Sequence, residues 1–292
     1  MERPYPPEHD EVSEKIERLN EILRRLGSVV VCFSGGIDSA LLLRAAHGVL
    51  GDRALGLTAV SPSLPLGERE ESAAVARAIG ARHEFIESNE IDDPNYAANN
   101  PDRCFHCKTE LYTLTTAEAR RRGFAAVTSG IIVDDMGDYR PGIDAARKNG
   151  VHFPLAEAGM SKRDVRAAAE RLGLSIWNKP ASACLSSRIP YGTAVSRERL
   201  ARVGGLEADL KGLGFRQVRV RYHELPGDPP VLLARIELPV DELAQTVEPG
   251  QREAIVEAGK RHGYHLVTVD LAGYRMGSAN EVLRGRSLKV LG

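Results

Sequence analysis

Apolar positions along this chain alternate between a helical period and short unbroken runs. Val12, Ile16, Leu19, Ile22 and Leu23 recur at helical spacing and stop before Gly27, which predicts an amphipathic helix behind a polar leader. Ser28 to Phe33 (SVVVCF) is then a β-branched run without alternation, as in a strand buried on both faces of a parallel sheet. Helical spacing resumes at Ala40 to Leu50, a strand pattern follows at Ala54 to Val60, a helix at Glu68 to Ile79 and a strand at His83 to Ile86. Further on come a helix at Leu111 to Arg122, a strand at Ala125 to Ser129 and a helix at Lys162 to Leu172 behind a capping Ser161. Repeated strand-then-helix order predicts an open, mostly parallel α/β sheet of Rossmann-like type, with ligands at the carboxyl ends of the strands.

The texture changes after Pro190. A helix near Arg197 to Leu213, strands at Gln217 to His223 and Val231 to Leu238, a helix near Glu248 to Arg261 and a last strand at His265 to Asp270 predict a smaller α+β domain. Between the two lies KPASACLSSRIPYG, rich in Pro and small residues, so the boundary is expected near 180–190, with domains 1–183 and 184–292. The sequence holds neither an internal repeat nor a low-complexity tract.

Composition narrows the partners. The 292 residues exceed the usual single domain, and 39 Lys and Arg against 40 Asp and Glu give a formal charge of -1. Such a chain lacks the broad positive field that grips nucleic acid, so a small anionic molecule is the expected partner. Because no run of eighteen apolar residues occurs and the start has no signal-peptide layout, a cytoplasmic protein without a membrane partner is expected. Four cysteines are too few for a disulfide framework at this length, which leaves them as thiols or metal ligands.

Candidate chemistry starts at Ser34-Gly35-Gly36-Ile37-Asp38-Ser39, between a buried strand and a helix. Unpaired backbone N–H groups and the positive helix end converge there and bind anions. Gly35 and Gly36 let the backbone approach a phosphate, the hydroxyls of Ser34 and Ser39 can donate to its oxygens, and Asp38 can hold magnesium. The loop has no Lys, so it is not the ordinary nucleotide P-loop, and it lacks the third Gly of a dinucleotide fingerprint. The bland alternative is a tight turn into a helix.

Cys32 falls inside VVVCF and reads as a small core residue. Cys184 stands in a loop just before Arg188, a cation able to stabilise a thiolate. Cys104 and Cys107 form CFHC, a spacing that suits two sulfurs on one metal centre, a redox dithiol or coincidence, with His106 between them expected to be exposed. Should folding bring Cys184 beside that pair, three thiolates would suit a four-iron four-sulfur cluster.

In QVRVRYH, alternation puts Arg219, Arg221 and His223 on one face and Val218, Val220 and Tyr222 on the other. The first face is either a row for a substrate carrying carboxylates and phosphate or a solvated outer surface. Arg235 and Glu237 share a face likewise, and Glu207 in the preceding helix is a candidate acid or base. Asp134, Asp135 and Arg140 are polar loop residues or nucleotide contacts.

SGGIDS resembles the signature of the PP-loop ATP pyrophosphatase superfamily, which cleaves ATP between the α- and β-phosphates and forms an adenylate. That resemblance implies that Ser34, Gly35, Gly36, Asp38 and Ser39 hold the pyrophosphate part of ATP. Taken in order, SGGIDS, NPDRCFHCK, DDMGDYRPG, PASACLSSRIPYG and YRMGSANE resemble the LarE family of ATP-dependent sulfur transferases over nearly the whole chain. The family adds sulfur to pyridinium-3,5-biscarboxylic acid mononucleotide during assembly of the nickel-pincer cofactor of lactate racemase. The resemblance implies ATP and magnesium as cofactors, a homo-oligomer of up to six chains, and sulfur taken either sacrificially from Cys184 or from a cluster held by Cys104, Cys107 and Cys184. Where the family has Gly-Thr-Asn before its paired acids, this chain has Ser129-Gly130-Ile131-Ile132. Gly130 still permits close approach of the nucleotide, while the contact made by that Asn is missing. Competing readings are an amide-forming PP-loop ligase, a tRNA thiolation enzyme and a non-catalytic ATP-sensing module.

Overall fold

β1 (Val29–Cys32) is buried at every residue, and its alternation feeds two separate cores. Val29 and Val31 join Leu19, Leu23, Leu41, Val165 and Ala168 on one side, and Val30 and Cys32 join Leu55, Tyr112, Val127 and Phe153 on the other. A strand covered on both faces has no polar side to alternate, which is why it reads as a continuous apolar run. Each Val or Leu buried in this way contributes about 1.5–3 kcal/mol.

The computed structural model describes residues 10–137, 141–180 and 182–275. These gather into two units. The first takes in the chain up to Ser61, Gly67–Asp93 and Asp102–Ser182, and the second takes in Pro62–Leu66, Pro94–Pro101 and the chain from Ala183 onward.

In the first unit α1 (Glu11–Leu26) starts at Asp10, whose carboxylate accepts from the Val12 N–H, and stops at Gly27 with φ 76°. Next come β1, α2 (Ile37–Leu50), β2 (Ala54–Val60), α3 (Glu68–Ile79) and β3 (Arg82–Glu87). The short α4 (Pro94–Ala97) belongs to the second unit. Then follow α5 (Arg103–Arg121), β4 (Ala126–Ser129), α6 (Val133–Met136), α7 (Pro141–Lys148), α8 (Pro154–Glu157) and α9 (Lys162–Arg171). The sheet is parallel throughout, in the order β3-β2-β1-β4. Cys32 pairs in register with both Leu57 and Ser129, so β1 and β4 end level, and the segments leaving them emerge side by side.

The short helices α4, α6, α7 and α8 are additional to the sequence expectation, and one expected helix starts earlier. α5 begins at Arg103 rather than Leu111, so Cys104 and Cys107 sit on its first turns and not in a loop. The reason is its buried face, which includes Arg103 and Thr115 beside Tyr112 and Ala119 and therefore carries little apolar periodicity.

The second unit contains the turn Leu185–Arg188, α10 (Arg197–Gly212), β5 (Arg219–Leu225), β6 (Val231–Glu237), α11 (Pro249–Arg261) and β7 (Leu266–Val269). Its sheet runs β5-β6-β7, with β5 and β6 antiparallel and β6 and β7 parallel, the last pair joined through α11. Among the described residues no helix is long and apolar enough to cross a membrane.

Candidate functional site

The loop from Ser34 to Ser39 is closed by its own hydroxyls. Ser39 Oγ accepts the Ser34 N–H at 3.2 Å and donates to Gly36 O at 3.0 Å, and Ser34 Oγ lies 3.1 Å from Ser39 Oγ. Gly36 is the N-cap of α2, a helix of 14 residues whose positive end faces the loop. Gly35 has φ 71°, and a Cβ there would lie 2.9 Å from Ser72 Cα on α3. Both demands leave glycine as the residue that fits.

Gly130, one residue beyond β4, meets the same helix end: a Cβ on it would lie 2.9 Å from Ser39 N and 3.1 Å from the Asp38 carbonyl carbon. Close backbone approach is thus what Gly130 provides.

The cation that the loop lacks comes from α9. Lys162 Nζ donates to both Asp38 carboxylate oxygens, at 2.8 and 2.7 Å, across 124 residues of sequence. The helix and its capping Ser161 are legible in the sequence, whereas this contact is not. Lys162 is held by its own neighbours: its backbone N–H donates to Asp134 Oδ2 at 2.8 Å, and Ser161 and Asp164 form a reciprocal capping box. Burial would raise the Asp164 carboxyl, but hydrogen bonds from Ser161 and Lys15 outweigh it and hold the pKa at about 2. Asp134 therefore serves as a cap on α9, and Asp135 Oδ2 accepts the Ile132 N–H at 3.1 Å. Arg140 and the residues Met276 to Glu281 of YRMGSANE lie outside the described residues.

No disulfide joins any of the four cysteines, all of which are described. Burial pushes the Cys32 thiol up to about 11, a chemically quiet core residue. Cys104 is exposed and Cys107 half-buried, three residues apart on one helix and so on neighbouring positions of its surface. His106 is half-buried, not exposed as expected, with Nδ1 3.5 Å from Asp93 and Nε2 3.6 Å from Asp102. Among the described residues no group of three or more His, Cys, Asp or Glu is arranged to hold a metal ion.

In the second unit, half-buried Cys184 opens the turn Leu185–Arg188. Arg188 is among the largest fully buried side chains of the described residues, and it acts on the backbone of this loop. Its Nη1 donates to Ala183 O at 2.8 Å and Cys184 O at 3.1 Å, while Nε and Nη2 form a fork on Glu207 at 2.8 and 3.0 Å. Glu207 also accepts the Val220 N–H at 2.9 Å, so both its oxygens are engaged in binding α10, β5 and the cysteine loop together.

Arg219 and Arg221 are buried at 8 % exposure each, which rules out the solvated outer surface for these two positions. Arg221 donates to Ser187 O and Glu237 at 2.8 Å each, and Arg235 bridges Glu237 and Asp270. Arg219 lies 5.4 Å from the centre of the Tyr274 ring. Its pKa is lowered by burial first and by nearby Arg188 second. His223 is not a cation of this row, since burial and then Arg235 and Arg221 push its pKa down, and its Nε2 accepts from Arg235 Nε at 3.3 Å.

No protein-family model matches the chain. An uncharacterised protein of Synechocystis is 43% identical over 269 residues, covering 92% of this chain and 98% of that protein. The pyridinium-3,5-bisthiocarboxylic acid mononucleotide synthase of Lactiplantibacillus plantarum is 37% identical over 262 residues, covering 89% of this chain and 92% of the synthase. A tRNA-specific 2-thiouridylase, MnmA of Arthrobacter, is 31% identical over 195 residues, but this match covers 53% of this chain and 51% of the thiouridylase. With a named synthase aligned over nearly its whole length, this chain belongs to the LarE family of PP-loop sulfur transferases.

Proposed function

We propose that this enzyme adenylates a carboxylate of pyridinium-3,5-biscarboxylic acid mononucleotide with ATP and converts it to a thiocarboxylate. The reading follows the synthase match, which spans 89% of the chain, rather than the thiouridylase match over 53%. The observation that carries it is the preformed loop at the start of α2 with the Lys162 ammonium set on Asp38 beside it. A leaving pyrophosphate needs donors and positive charge in place before the reaction begins. Ser34, Gly35, Gly36 and Ser39 supply the donors, and Lys162 supplies the charge.

In the first step a substrate carboxylate oxygen attacks the α-phosphorus and pyrophosphate leaves with the bonding pair, giving an acyl-adenylate. Magnesium, when bound, would neutralise charge on the triphosphate. A single carboxylate such as Asp38 suits that ion, which takes its remaining ligands from phosphate and water. Arg219 and Arg221, at buried positions on β5, are the proposed contacts for the substrate's anionic groups, and Gly130 is the proposed point of close nucleotide approach.

In the second step sulfur replaces AMP. Along the sacrificial route the Cys184 thiolate attacks the acyl carbon and AMP leaves. Removal of the Cα proton then sends the Cβ–Sγ pair to sulfur, leaving thiocarboxylate and dehydroalanine. On the alternative route Cys184 is spared and would be a cluster ligand together with Cys104 and Cys107, which lie three residues apart on α5. A four-iron four-sulfur cluster, when bound, would supply a sulfide.

Pyrophosphate release from ATP with the dicarboxylate nucleotide tests the first step, and its absence despite ATP binding would reduce the chain to a nucleotide sensor. Anaerobic purification, iron and sulfide determination and intact mass after turnover separate the routes. A chain lighter by about 34 Da at Cys184 marks sacrifice, and bound iron with an unchanged mass over many turnovers marks the cluster.

A further inference from the structure

Residues 183–195 hold the cysteine proposed above to handle sulfur, yet beyond the single turn Leu185–Arg188 they have no regular structure. Their backbone is fixed instead by two short excursions of the chain, 62–66 and 94–101, within the second unit. Ser63 O accepts the Leu185 N–H at 2.8 Å, Ala97 O accepts the Val195 N–H at 2.8 Å, and Tyr96 Oη lies 2.5 Å from Ser186 Oγ.

Asn99 makes the largest contribution. Its side chain has 0% exposure, and Nδ2 donates to Pro190 O and Thr193 O at 2.8 Å each and lies 3.3 Å from Ile189 O. Its own carbonyl accepts the Gly192 N–H at 3.2 Å. The residue adopts φ 55°, a left-handed conformation that Asn tolerates and most side chains avoid. The two hydrogens of one buried amide group thus serve three main-chain carbonyls of an irregular loop, of which Pro190 O also accepts the Thr193 N–H at 3.0 Å.

We propose that Asn99 is a positioning residue for Cys184: its carboxamide fixes the loop behind the cysteine so that the sulfur meets the activated carboxyl group. The inference rests on the reading of Cys184 as the sulfur-handling residue. A misplacement of about 1 Å at a reacting group costs on the order of 100-fold in rate, so the support of an irregular loop governs its chemistry.

Asn99→Asp is the sharpest variant. It keeps size and the tolerance for positive φ, but sets an acceptor against three carbonyl oxygens. The full-length enzyme is assayed for both half-reactions, with Cys184 labelling by iodoacetamide followed by peptide mass spectrometry in protein prepared identically. The expected result is pyrophosphate release within about twofold of wild type, thiocarboxylate formation down at least about 10-fold, and a Cys184 labelling rate changed several-fold. Tyr96→Phe, which removes the hydroxyl at Ser186, should move the same readouts in the same direction by less, and it serves if Asn99→Asp does not fold. Equal losses in both half-reactions, or unchanged labelling and sulfur transfer, would overturn the proposal. Cys184→Ser is run alongside: full sulfur transfer in that variant would refute the reading of Cys184 itself and the proposal with it, whatever Asn99→Asp does.

Discussion

Lys162 Nζ stands 2.8 and 2.7 Å from the two carboxylate oxygens of Asp38, so the first turn of α9 delivers a cation to the first turn of α2. In the proposed reaction this charge stands beside the loop assigned to the departing pyrophosphate. Lys162→Ala should lower pyrophosphate release at saturating ATP by about 100-fold or more, and Lys162→Arg should recover part of it. Steady-state kinetics check this, and a rate within threefold of wild type would remove Lys162 from the phosphate site.

Gly130 carries a second test. A methyl group there would press on Ser39 N and the Asp38 carbonyl carbon, which are main-chain atoms with no rotamer to yield. Gly130→Ala should cost about 1–3 kcal/mol in stability and raise the KM for ATP. Denaturant titration and ATP kinetics on the same preparation read both effects.

The position of α9 depends on Asp164, held at about 2 by Ser161 and Lys15 against the opposing pull of burial. A carboxyl depressed on folding stabilises the protein above its unfolded pKa of about 4, and that contribution disappears as pH falls through about 2. Asp164→Asn should therefore cost about 2 kcal/mol at neutral pH, with the two stability curves converging in acid. Urea unfolding between pH 7 and pH 2 measures the convergence.

The pair of Arg188 and Glu207 is buried on both sides, at 0% and 4% side-chain exposure. Removing one member leaves the other uncompensated, so Arg188→Met or Glu207→Leu alone should cost about 3–5 kcal/mol, and the double variant should recover much of that loss. Chemical denaturation of the three variants reports the coupling.

Elements driven by apolar periodicity were legible from sequence. β1, α1 and α9 fall where the pattern puts them, because each buries a face rich in Val, Leu, Ile or Ala against a sheet or a neighbouring helix. α5 was half hidden because Arg103 and Thr115 take buried positions that a hydrophobicity pattern reads as surface. The phosphate loop was visible as a local motif. Lys162 was not, since its partner is 124 residues away and a lysine at the start of a helix has no signature. Alternation in β5 identified which residues share a face with Arg219 and Arg221, but not that this face is buried, since period two is silent on what covers each side. Asn99 is hidden in the sequence for a similar reason: a lone Asn among polar residues reads as a turn, and its three acceptors lie 90 to 94 residues onward.

The path of the chain also governs how the protein can be taken apart. It passes between the two units at 61/62, 66/67, 93/94, 101/102 and 182/183, so a gene fragment beginning at residue 183 omits both stretches that secure the cysteine loop. Expressed alone, such a fragment would present the carbonyls of Ile189, Pro190 and Thr193 to water and lose the Ser63 acceptor for Leu185. Domain-swapped chimaeras with relatives need to exchange 62–66 and 94–101 along with the C-terminal half, or the transplanted cysteine will arrive without its scaffold.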